Sequence, residues 1–205
     1  MKKQTAIITG FGIAAGLALG ALGAILLLRR RRSIPPEAEA ATPFDIKKYL
    51  GRWYEIARVD YRFERRLINV TADYSANEDG SVKVTNRGYD PYKDKWHEAV
   101  GKAIFKDADD EGKLLVTFFG PFYSGYNVIK LERNYNYALV FGRNHDYLWL
   151  LSRTPTMPEH IKKAFLEIAA EDGYNLSRLV WTNQEAIEYD RSTVVNQEMD
   201  LLLKR

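Results

Sequence analysis

Polar and apolar residues alternate over 67–75: Val70, Ala72 and Tyr74 share one face, Asn69, Thr71 and Asp73 the other. This is the period of a strand buried on one side. It returns over 81–89, where Val82, Val84 and Asn86 fall together. Between the two, Asn77-Glu78-Asp79-Gly80 reads as a tight turn in which Gly80 supplies the positive φ. Further short runs of this kind lie at 53–59, 96–106, 113–119, 123–131, 137–143 and 147–153, separated by turn signals such as Asp90-Pro91 and the acidic loop 107–112. Eight strands in simple succession predict an all-β antiparallel up-and-down barrel. A barrel of that size is filled by its own side chains or holds one small ligand. After Thr154-Pro155 the period lengthens. Ile161, Ala164, Phe165 and Ile168 lie on one face of a helix from about 158 to 173, packed outside the barrel, with Pro158 at its start and Gly173 as its stop. A last short strand is expected over 176–181.

The start of the chain follows another pattern. Residues 5–28 carry no charge, with Lys2 and Lys3 before them and Arg29, Arg30, Arg31 and Arg32 after. About 20 apolar residues cross a bilayer, and arginines stand where a cleavable signal would have its small-residue site. A retained N-terminal transmembrane helix is therefore expected, anchoring the chain to a membrane. The heavier basic flank following the helix would hold the barrel in the cytoplasm, whereas a signal-anchor reading exports it, so the side of the membrane stays open. Gly12, Gly16 and Gly20 would let a second helix approach and form a homodimer. The ordinary abundance of small residues in membrane helices is the plainer explanation. The organisation is then anchor and basic flank 1–32, Pro- and Ala-rich linker 33–43, barrel and helix 44–184, and polar tail 185–205.

Composition narrows the chemistry. With 46% hydrophobic and 28% charged residues the chain can build a core, and Tyr 13, Phe 9 and Trp 4 suit β-structure. The net charge of +3 is largely the run Arg29–Arg32, so no nucleic-acid footprint is expected. The absence of cysteine removes disulfides, thiolate metal sites, thiol nucleophiles and cysteine-linked lipid anchors together. His97, His145 and His160 have no metal-pair spacing, and the acidic run Asp107, Asp109, Asp110 and Glu111 reads as a solvated turn. There is no nucleophile elbow and no phosphate loop. Neither a catalytic residue, a metal nor a cofactor is expected.

Leu50-Gly51-Arg52-Trp53-Tyr54 resembles the Gly-x-Trp opening of the lipocalins, and Leu151-Ser152-Arg153 resembles the arginine motif that closes their last strand. Between them, Phe118-Phe119-Gly120-Pro121-Phe122-Tyr123 and Gly125-Tyr126-Asn127-Val128-Ile129 are similar to bacterial lipocalins of the outer-membrane lipoprotein type, close to apolipoprotein D. The resemblance covers about 44–184. The family's middle motif is degraded, with Glu132 in place of its Asp and Tyr135 supplying the ring. Bacterial members usually carry an acylated cysteine, which this chain lacks, so the apolar helix would replace it. The resemblance implies a bacterial envelope location, structural roles for Gly51, Trp53 and Arg153, and a fatty acid or lysophospholipid as ligand. Lipid storage or transport follows, without catalysis. A lipocalin-fold enzyme acting on a lipid or isoprenoid is the alternative.

With Trp53 and Arg153 turned inward, strand alternation assigns the rest of the lumen. Strand one contributes Glu55 and Ala57; strands two and three contribute Val70, Ala72, Tyr74, Val84 and Asn86. Val116, Phe118, Tyr126, Val128, Ala138 and Val140 follow, then Tyr147, Trp149 and Leu151. Tyr126, Tyr147 and Asn86 are the expected polar contacts. Arg58, Arg62, Arg65 and Arg66, near the first loop, are candidates for attracting an anionic headgroup, although a solvated basic loop is the plainer reading.

Overall fold

The computed structural model describes residues 32–59 and 67–184. The apolar stretch 5–28, Arg62, Arg65, Arg66 and the tail 185–205 lie outside the described residues. No described helix is long and apolar enough to cross a membrane.

The described residues form nine strands: β1 Gly51–Val59, β2 Ile68–Ala76, β3 Val82–Asp90, β4 Lys95–Phe105, β5 Lys113–Phe119, β6 Phe122–Leu131, β7 Tyr137–Gly142, β8 Leu148–Ser152 and β9 Leu179–Trp181. A four-residue helix α1, Ile46–Tyr49, precedes them, and α2, Glu159–Glu171, follows β8. All pairings are antiparallel and run in chain order from β2 to β8, then β1; pairing of β1 with β2 closes the barrel. Strands β1 to β8 thus form the expected eight-stranded barrel, with bounds within a residue or two of the alternation pattern.

Alternation separates two cores. The inward residues Trp53, Tyr74, Val84, Val128, Ala138, Val140 and Leu151 meet in the lumen. Their outward neighbours Leu139, Phe141, Leu148 and Leu150 meet Phe165 and Ala169 of α2 on the outer wall. Of the expected helix face, Phe165 is buried while Ala164 is exposed, and Ala169 takes its place. Gly173, at φ +91°, ends the helix as expected.

The seam between β1 and β2 is incomplete. Their ladder runs only from Gly51↔Tyr74 to Tyr54↔Thr71. Beyond it β9 pairs with Ala57, Arg58 and Val59, and Gln184 donates its side-chain amide to the carbonyls of Glu55 (2.8 Å) and Val70 (2.9 Å). Asn69 N–H donates to the Asn183 carbonyl at 2.8 Å. The last strand is therefore a stitch across the seam as well as an outer layer.

The segment expected as a linker, 33–43, is docked on the wall. Ser33 and Pro35 are buried, Ala41 N–H donates to the Val128 carbonyl, and Gly112 N–H donates to the Ala41 carbonyl.

Candidate functional site

One end of the barrel is plugged from the sequence outward. Asp45 caps α1 by accepting from Lys47 N–H, and the helix delivers Tyr49 beneath Trp53, ring centres 4.8 Å apart. Trp53 is fully buried, and its indole N–H donates to the Tyr49 carbonyl at 2.8 Å. The Arg153 guanidinium lies 3.9 Å from the centre of the indole. Its donors meet the carbonyls of Arg52 (2.8 Å), Lys48 (2.7 Å) and Tyr135 (3.2 Å). Burial lowers the arginine's pKa, with the phenols of Tyr49, Tyr126 and Tyr74 acting the other way; an arginine keeps its charge through such a shift. Gly51 has φ +93°, and although a β-carbon would meet Arg153 Nη1 only at ordinary contact distance, 3.5 Å, that backbone conformation would strain any side chain there. Glu132 accepts from Asn134 N–H and Asn136 N–H, holding the β6–β7 turn. That turn presents Tyr135, whose hydroxyl accepts from Asp45 N–H.

Above the plug lies a cavity of about 110 Å³, lined by Tyr49, Val70, Ala72, Tyr74, Val82, Val84, Asn86, Ala103, Leu114, Val116, Phe118, Tyr126, Trp149 and Leu151. It leads to a mouth of about 750 Å³ bordered by Asn86, Gly88, Asp90, Lys93, Phe118, Tyr147 and Trp149. Space for Phe118 comes from Gly101, where a β-carbon would stand 2.7 Å from the Thr117 carbonyl and 2.8 Å from the Phe118 ring. Trp149 stacks between Tyr126 and Tyr147, at 6.3 and 6.2 Å.

Three phenols supply the polarity of the floor. Tyr126 hydroxyl is 2.6 Å from that of Tyr49 and 2.8 Å from that of Tyr74. Burial raises the pKa of Tyr49 and Tyr126 well above the ordinary phenol value; Tyr49 and Tyr74 push Tyr126 the same way, whereas for Tyr49 the upward push of Tyr74 is opposed by the hydrogen bond with Tyr126 and by Arg153. A phenol whose folded-state pKa is raised stabilises the fold fully below the unfolded value near 10; the contribution is lost as pH climbs through the folded value. Unfolding free energy should therefore fall above about pH 10, by up to roughly 1.4 kcal/mol per pH unit for each buried phenol. Tyr126→Phe should make that decline shallower in denaturant titrations between pH 9 and 11. Equal slopes would contradict the assignment.

Of the residues expected in the lumen, Val70, Ala72, Tyr74, Val84, Asn86, Val116, Phe118, Tyr126 and Trp149 line the cavity. Val128 and Val140 sit in the core around its floor, and Tyr147 stands at the mouth. Ala57 does not belong there. A β-bulge in β1 pairs Glu55 with Leu151 but Ala57 with Leu150 and Arg58 with Trp149. The extra residue reverses the parity, sending Ala57 outward under α2 and turning Arg58 inward. Arg58 is consequently no headgroup-attracting loop residue: its side chain is 2% exposed and its Nη1 donates to Glu55 Oε1 at 2.6 Å. Thr182 hydroxyl donates to the same oxygen at 2.5 Å.

The structure also adds residues that alternation missed. Tyr49 sits on a helix too short to show a period, Leu114 continues the face of Val116, and Ala103 lies opposite Val116 on β4, a strand to which the sequence assigns no lumen residue. Asn86 Oδ1 is buried and has no hydrogen-bond partner among the described residues. His145 contacts the Asp172 carbonyl at 2.7 Å, His97 lies 3.9 Å from Asp90, and His160 is exposed on α2. Among the described residues no group of three metal-ligating side chains converges.

A single-lumen antiparallel barrel, plugged by an indole under a guanidinium, defines a class of small-ligand cups. The family model described as "Lipocalin-like domain" matches residues 44–184, and the chain belongs to the lipocalin family. Within it, the chain is similar to the bacterial Blc type. It is 47% identical over 169 residues to "Outer membrane lipoprotein Blc" of Escherichia coli (strain K12), covering 82% of this chain and 96% of that one. It is 32% identical over 157 residues to apolipoprotein D of Mus musculus, covering 73% and 82%. Among solved structures, insecticyanin from the tobacco hornworm Manduca sexta superposes with a TM-score of 0.58 at 17% identity, covering 79% of this chain and 89% of that one. That likeness shows the fold.

Proposed function

We propose that this protein holds one fatty acid or lysophospholipid in its lumen, for storage or transport, while tethered to a membrane of the bacterial envelope by residues 5–28. The observation that carries the reading is the apolar cavity opening into a mouth of about 750 Å³, within the roughly 300–1,000 Å³ of small-molecule sites. Apart from the phenol hydroxyls, the apolar lining of the cavity suits an acyl chain: apolar cavities of around 150 Å³ stay dry and accept apolar guests. The unsatisfied Asn86 Oδ1 beside the mouth can accept a hydrogen bond from the glycerol hydroxyl of a lysophospholipid. Envelope association is supported by the similarity to the Blc outer membrane lipoproteins. Since the chain has no cysteine, the tether is proposed as a transmembrane helix.

Carriage is favoured over catalysis by the state of the lumen's titratable groups. The phenols are pushed away from neutral pKa values by burial, and Glu55 is held by Arg58 and Thr182. The phenols are therefore not poised as general acids or bases near pH 7. Filling the floor tests the reading. Ala72→Phe should weaken lysophospholipid binding, followed by Trp fluorescence, by roughly tenfold or more, about 1.4 kcal/mol. Unchanged affinity in a folded variant would contradict a ligand in this lumen.

A further inference from the structure

We propose that the open rim docks on the bilayer surface, with Phe119 and Phe122 in its interfacial layer, so that the mouth opens toward lipid. The exposed large hydrophobic side chains among the described residues are concentrated at this rim. Phe119 is 81% exposed, Phe122 79% and Tyr92 77%, with Val100 at 50%; Val180 and Trp181 of β9 are the others. Phe119 and Phe122 form the last pair of the β5–β6 hairpin, and both border the mouth. The β4–β5 ladder stops at Lys102↔Thr117, and two residues further on Val100 stands level with Phe119. Tyr92 occupies the β3–β4 turn, beside Lys93, whose side chain is 70% exposed.

Clustered exposed aromatics mark a surface that meets a partner. Aromatic rings with a cation beside them suit the headgroup layer of a membrane.

The path of the chain identifies a bilayer as that partner. Ser33 is clamped to the outer face of β6. Asn127 side-chain amide donates to its carbonyl at 2.7 Å, and a β-carbon on Gly125 would lie 1.8 Å from that oxygen. The strand clamped by Ser33 is the one whose first residue is Phe122. Ser33 lies five residue steps after Leu28, the end of the apolar segment, a reach of at most about 18 Å. Gly125 and Phe122 are three strand residues apart, about 10 Å. An apolar segment that enters a membrane therefore does so within about 28 Å of chain path from the exposed hairpin tip. The inference rests on the proposed membrane entry of residues 5–28, and not on what the lumen carries.

Because the chain has no cysteine, Phe119→Cys, Phe122→Cys and Glu78→Cys each introduce a sole thiol for an environment-sensitive fluorophore. Glu78 is exposed in the β2–β3 turn, at the plugged end. The full-length protein is reconstituted into phosphatidylethanolamine–phosphatidylglycerol vesicles, some containing lipids with nitroxides high on the acyl chain. Labels at 119 and 122 should shift to the blue and be quenched by roughly twofold or more by the nitroxide lipids, as expected for interfacial residues, while the label at 78 is unaffected. Labels at 119 and 122 that behave like the one at 78, in protein that floats with vesicles, would overturn the proposal. A blue shift without quenching would overturn it too, showing the tip covered by protein, such as a second copy. Protein that fails to float would refute the membrane entry of residues 5–28 and the docking together, whereas the lipid-carrier reading would be judged separately by lipid content.

Discussion

Trp53→Ala is expected to lower unfolding free energy by about 3–5 kcal/mol, the usual cost of deleting a large buried aromatic. Trp53 has no exposed surface and packs against both Tyr49 and Arg153. The loss would take a large share of the roughly 5–15 kcal/mol that holds an ordinary domain folded. Its partner separates packing from charge. Arg153→Ala removes a cation over a ring, about 0.5–2 kcal/mol, and several carbonyl contacts, yet leaves the indole in place. The two losses should not add: with the ring gone the guanidinium has no face to cover, so the double variant should fall short of the sum by about 0.5–2 kcal/mol. Urea titrations of the four proteins supply the numbers. Additive losses would show that Arg153 acts only through its carbonyl partners.

Breaking the Glu55–Arg58 pair should cost a similar amount for a different reason. Both side chains are nearly inaccessible, at 4% and 2%, and Arg58→Met would strand a carboxylate in the wall. Removing one member of a buried pair typically costs about 3–5 kcal/mol, whereas replacing both by apolar groups of similar size is often neutral. Arg58→Met should thus be strongly destabilised, and Glu55→Leu combined with Arg58→Met should recover most of the loss. Thr182 donates to the same carboxylate, so the single variant should also loosen β9, seen as faster amide exchange over 179–184. A double variant no better than the single would place the pair's value in its geometry and not in its charge.

The two sites differ in how readily the sequence reveals them. Trp53 and Arg153 were legible because the chemistry is local: a glycine forced to positive φ, a plug-sized ring, and an arginine ending the last barrel strand. The lumen followed from period-two alternation wherever a strand was regular, as in β3 and β8. Alternation fails at a bulge, since one extra residue reverses every later side chain. Nothing in Glu55-Ile56-Ala57-Arg58 announces the bulge, so alternation alone puts Ala57 inside and Arg58 outside. Long-range stitches were equally hidden. Gln184 reaches Glu55 and Val70 across more than a hundred residues, and Asn127 grips Ser33, so a Pro-rich stretch that looks like free linker is part of the wall. Tyr49 is hidden because four helical residues carry no period; its one signal is the position four before Trp53, within reach of the indole N–H.

The claim that this barrel carries a lipid is tested most directly by what the full-length protein retains. Purified in a mild detergent and sprayed under native conditions, it should carry one acyl lipid per chain, released chemically unmodified on denaturation, and the Ala72→Phe protein should carry markedly less. A wild-type barrel that is consistently empty, with the same mass as the Ala72→Phe protein after allowing for the substitution, would contradict the account.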